Sequence, residues 1–144
     1  MAENRTNGRL ACFELWGGNR SANHPLELPG LAGWVYSSPL DPNSGGGDVH
    51  YFSVCSKGIV SRIAVADVAG HGIRASSTGE NLRKILQRHT NSWDQSMLMQ
   101  ELNNAFMGKD SAGRYATAAV LGFYLKTSEL LFSSVGNEAI YPVV

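Results

Sequence analysis

Apolar and polar residues alternate with a period of two over Val49–Cys55 and Ile59–Ala66, the clearest strands of the chain. The Lys57-Gly58 pair between them predicts a tight hairpin turn. From Gly72 to about Arg88 the period lengthens. Ile73, Leu82, Ile85 and Leu86 fall on one helical face, with Arg83, Lys84 and Arg88 on the other. A second helix is predicted from about Gln95 to Met107, with Asp94 as N-cap and Gly108 as stop. Leu98, Leu102, Ala105 and Phe106 form its apolar stripe. Strand character resumes over Tyr115–Lys126 and Leu130–Val135 around a Thr127-Ser128-Glu129 turn, and Ile140–Val144 begins one more strand. Upstream, Leu10–Trp16 reads as a strand ended by Gly17-Gly18, and Gly33–Ser38 as another. Residues 19–32, rich in Pro, Asn and Gly, read as an irregular loop, and residues 1–9 as a disordered N-terminus. The order β-β-β-β-α-α-β-β-β lacks the alternation of a doubly wound fold. It implies an α+β domain over residues 10–144, with antiparallel sheets and a helix pair packed on one side.

Composition narrows the partners more than the fold. The 144 residues suit one domain, and 43% apolar with 17% charged residues is ordinary for a globular protein. Twelve basic and twelve acidic residues cancel, so no basic surplus points to nucleic acid or to an anionic membrane. The N-terminus carries no apolar signal region, and the weakly polar run Tyr115–Leu125 is far short of the ~20 residues that span a bilayer. A cytoplasmic location is expected. Cys12 and Cys55 are too few for a disulfide framework, and Cys55, in a strand pattern, reads as a buried small hydrophobe.

The candidate chemistry lies at the open end of the first hairpin. With Lys57-Gly58 as its loop, Ser56 pairs with Ile59, Val54 with Ser61, Phe52 with Ile63, His50 with Val65, and Asp48 with Asp67. Directly opposed residues have Cβ atoms about 4.5–5.5 Å apart, and like charges there repel. A divalent cation turns that repulsion into attraction, and oxygen-only ligands favour a hard ion, Mg²⁺ or Mn²⁺. Two strand-ending aspartates in solvent are the plainer alternative. His50 shares their face and reads as a structural histidine.

Gly70-His71-Gly72-Ile73-Arg74-Ala75 also fits the dinucleotide fingerprint G-x-G-x-x-A, and a glycine-rich helix start binds phosphate. The context argues against a dinucleotide-binding protein. The preceding strand belongs to a hairpin, a second helix follows the first, and no strand-end acid appears about twenty residues on. The glycines also serve a sharp turn from Asp67 into the helix. His71 could assist proton transfer or simply shape the loop, and His24 and His89 read as surface residues.

Four stretches occur in order: Gly-Gly-Asp-Val at 46–49, Ala-Asp-Val-Ala-Gly-His-Gly at 66–72, Arg-Tyr-Ala-Thr-Ala at 114–118 and Gly-Asn-Glu-Ala-Ile-Tyr-Pro at 136–142. Together they resemble the PPM-type (PP2C-like) protein serine/threonine phosphatases, in the bacterial branch of stage II sporulation protein E and the sigma-regulation phosphatases. The resemblance implies an αββα sandwich with a centre of two Mn²⁺ or Mg²⁺ ions between the sheets. That centre activates water against phosphoserine or phosphothreonine on a protein partner, in this branch an anti-sigma-factor antagonist. Asp48 and Asp67 would be carboxylate ligands and the Val68 carbonyl a backbone ligand. Gly70, His71 and Gly72 are candidate phosphate or loop contacts, and Arg114, at a strand start, either braces the sheet or meets a phosphate. The family's later Asp-Gly motif has no counterpart up to Val144, which implies a fold incomplete at its C-terminus. Weak ion binding and low activity are then expected, or else an inactive remnant acting as an interaction module. Exposed sheet edges would favour self-association.

Overall fold

The computed structural model describes residues 13–18, 21–39, 48–68, 73–107 and 116–135. Seven strands and two helices follow in order: β1 Phe13–Gly18, β2 Ala22–Leu28, β3 Leu31–Ser37, β4 Asp48–Cys55, β5 Val60–Val68, α1 Ile73–Arg88, α2 Ser96–Met107, β6 Ala116–Tyr124 and β7 Glu129–Val135. β1, β4, β5, β6 and β7 form one sheet in that order, every pairing antiparallel, and β2 and β3 form a second, two-stranded sheet. The α+β class and the antiparallel architecture agree with the sequence.

Alternation along β4 and β5 gives the large sheet two unlike faces. Val49, Tyr51, Ala64 and Val68 point to the helices and join Leu82, Ile85 and Leu86 of α1, Leu98 and Leu102 of α2, and Val120 of β6 in the core. Leu98 and Val120 are fully buried. Of the predicted α2 stripe, Leu98 and Leu102 are buried, whereas Ala105 is exposed. Asp94 caps α2 as expected, its Oδ1 accepting the Ser96 N–H at 2.8 Å.

Polar side chains fasten the helices. Glu14 of β1 accepts from Arg83 Nε at 2.7 Å, from Gln87 Nε2 at 2.6 Å and from the Tyr51 hydroxyl at 3.3 Å. Arg62, fully buried on β5, donates to the carbonyls of His89 and Ser92 in the α1–α2 connection. Gln95 donates to Ser133 Oγ at 2.9 Å, in space left by Gly122, where a Cβ would lie 2.9 Å from Gln95 Oε1.

The opposite face of the large sheet meets the β2–β3 ribbon, whose Gly30 lies close enough to Phe123 that a Cβ there would approach it to 2.6 Å. The irregular loop expected over residues 19–32 is therefore corrected, since most of it is β2 and the Pro29-Gly30 turn. Its Pro and Asn content hid the alternation of Ala22, His24, Leu26 and Leu28, which are less exposed than their neighbours. Pro25 is tolerated because a two-stranded ribbon leaves its backbone nitrogen a free side. β1 runs through Gly17 and Gly18 instead of ending before them. His89, expected at the surface, is partly buried beside Glu101, with Nε2 2.5 Å from Oε2. Cys55 is buried as expected but disulfide-bonded, so it is not a free thiol. The expectations for residues 1–9 and for a strand over 140–144 lie outside the described residues.

Candidate metal centre

The β4–β5 hairpin closes with left-handed backbone at Ser56, Lys57 and Gly58, φ 54°, 60° and 85°. Gly58 N–H donates to Cys55 C=O and Ile59 N–H to Ser56 C=O, both at 3.2 Å. Positive φ at consecutive turn residues matches the twist of the strands, and the tight connection locks their register. Cys55 then faces Val60, and counting down the ladder sets His50 opposite Val65 and Asp48 opposite Asp67. The juxtaposition expected from the sequence is present.

The row continues onto β6, where Thr117 stands opposite Asp67. Asp48, Asp67 and Thr117 thus occupy one level of three adjacent strands, on the face turned away from the helices. They line an open cleft of about 470 Å³ with Tyr36, Ser37 and His50. Both aspartates are solvent-exposed. The Thr117 Oγ1 is inaccessible and has no hydrogen-bond partner.

His50 forms one wall. Its partner across the ladder is Gly17, and a Cβ there would fall 2.0 Å from His50 Nε2. The imidazole thus lies over bare backbone, with the Phe52 ring 5.6 Å away between centroids. Burial, and then the nearby charge of His24, push the His50 pKa below its ordinary value, which favours the neutral ring.

Two opposed carboxylates suit one hard cation completed by water or phosphate oxygens. No group of three or more His, Cys, Asp or Glu residues is arranged for a metal among the described residues. The described donor set, two carboxylates, fits a single open site. Val68 follows Asp67 with its side chain in the core, and its carbonyl oxygen is the one atom it could offer a metal. Gly70, His71, Gly72 and Arg114 lie outside the described residues.

Comparison with known proteins adds the family. The sequence model of stage II sporulation protein E (SpoIIE) matches residues 60–143, more than half of the chain. The chain belongs to the SpoIIE family. No curated protein and no solved structure matched it. SpoIIE is a family of PPM-type phosphatases, so the resemblance in the motifs holds. The SpoIIE match takes in Asp67 and Thr117 but begins after Asp48, whose place rests on the ladder. No described helix is long and apolar enough to cross a membrane.

Sequence reasoning missed Gly17 and Thr117. Gly17 looked like a strand stop, whereas it is the space that His50 fills. Thr117 stood inside a quoted stretch without a role. Pairing β6 against β5 would have placed it beside Asp67, but the sequence holds no turn between those strands from which to count.

Proposed function

We propose that this domain is a metal-dependent protein phosphatase that hydrolyses phosphoserine or phosphothreonine on a protein partner. The observation that carries this reading is the direct opposition of Asp48 and Asp67 in a chain of the SpoIIE family. A bound Mn²⁺ or Mg²⁺ supplies an acidified water and neutralises phosphate charge. Asp48 and Asp67 hold that ion, with the Val68 carbonyl as a backbone donor. The cleft admits a phosphorylated segment from the solvent side, and the His50 wall limits its width. Gly70, His71, Gly72 and Arg114 are proposed to meet the phosphate or shape the loop beside it. An anti-sigma-factor antagonist in the bacterial cytoplasm is the partner this family suggests.

A non-catalytic interaction module is the second reading, favoured by the exposed apolar side chains on the last described strand of the large sheet. It would use β7, which ends the large sheet among the described residues and exposes Leu130 and Phe132. Hydrolysis of p-nitrophenyl phosphate distinguishes the two. The phosphatase reading expects weak, Mn²⁺-dependent turnover that falls to background in Asp48→Asn and Asp67→Asn. Turnover undiminished in both variants would remove the aspartates from the chemistry, and no turnover at any Mn²⁺ concentration would favour the module.

A further inference from the structure

We propose that Thr117 is a positioning residue for Asp67, an inference that rests on the metal-centre reading above. Three observations converge on it. Thr117 is the direct cross-strand partner of Asp67, so both side chains leave the sheet on the same face. Its hydroxyl is shut off from solvent and bonds to nothing. It also lines the cleft that contains both aspartates.

A buried hydroxyl without a partner calls for an explanation such as an ion or a further contact. Ser53 and Ser61 carry such hydroxyls too, but of the three only that of Thr117 belongs to a residue lining the cleft. A threonine hydroxyl carries one proton to donate, whereas an ionised carboxylate only accepts. The complementary partner in the row is therefore the Asp67 carboxylate, at a Cβ separation of about 4.5–5.5 Å for opposed residues, within reach of two short side chains. When one Asp67 oxygen turns to a cation, the other turns back to the sheet and accepts the Thr117 O–H. The hydroxyl then fixes the carboxylate's orientation, as neighbours of metal ligands commonly do. Asp48 stands on the far side of Asp67 in the same row, so the threonine acts on one ligand only.

The test is calorimetric titration of Mn²⁺ into the wild type, Thr117→Val and Thr117→Ser, with thermal unfolding of each protein before and after the metal. Valine keeps the shape and removes the donor, whereas serine keeps the donor. The expected result is a Kd raised about tenfold or more in Thr117→Val, near wild type in Thr117→Ser. Without metal, Thr117→Val should melt at or above the wild-type temperature, because the hydroxyl it loses is unpartnered. Equal Mn²⁺ affinity in wild type and Thr117→Val would overturn the inference while leaving the centre standing. A large drop in metal-free melting temperature for Thr117→Val would also overturn it, by assigning the hydroxyl a structural bond. A wild type that takes up no Mn²⁺ would remove the centre and this role together.

Discussion

Gly17 and Arg62 show how much single positions decide. A methyl group at Gly17 would enter the volume of the His50 ring. Gly17→Ala should therefore displace the ring toward the cleft, at a cost of about 0.5–1.5 kcal/mol in urea unfolding, the range for a side chain pushed off its rotamer. It should also shift the His50 ring resonances in NMR, whereas unchanged resonances would show that the ring does not rest there. Arg62 has no solvent exposure, and burial lowers its pKa. Its guanidinium is held by two carbonyls of the α1–α2 connection. Arg62→Leu leaves those carbonyls without their donor and should destabilise by about 1.5–3 kcal/mol. Asp48 and Asp67 were legible in the sequence because a two-residue turn signal fixes where a short hairpin begins to count. Gly17, Arg62 and Thr117 were not, because each acts through a neighbour distant in the chain.

At the scale of elements, the helix pair was readable where its burial is periodic. Leu98 and Leu102 fall where the 3.6-residue period puts them, and both are almost wholly buried. Leu98→Ala should cost about 2–5 kcal/mol in chemical denaturation, as large-to-small changes in cores do. The α1–α2 connection also carries a pH dependence. Glu101 accepts a hydrogen bond from His89 and pairs with Arg88, and these contacts, His89 foremost, hold its carboxyl below the ordinary carboxylate range. A depressed carboxylate pKa adds stability above its unfolded value and loses it as the pH falls through the folded one. Melting temperatures from pH 7 to pH 3 should therefore fall less steeply in Glu101→Gln than in wild type. An identical slope would show that the pairing adds nothing. The β2–β3 ribbon was hidden because Pro and Asn mark loops in most settings, and only the ribbon's open edges tolerate them here.

For the whole molecule, the sheet divides labour between its faces. One is sealed by two helices and supplies the core, and the other is left partly open around the aspartate row, with Val65 beside it still 43% exposed. Twelve basic and twelve acidic residues cancel, so net charge sets up no strong long-range field around this row. The proposed metal centre requires Asp48 and Asp67 together to hold a hard divalent ion. Titration of Mn²⁺ into the wild type, Asp48→Asn and Asp67→Asn by calorimetry tests it most directly. A binding heat in the wild type that disappears in both variants, with circular dichroism unchanged, is the predicted result. No heat in the wild type, or the same heat in all three proteins, would contradict it.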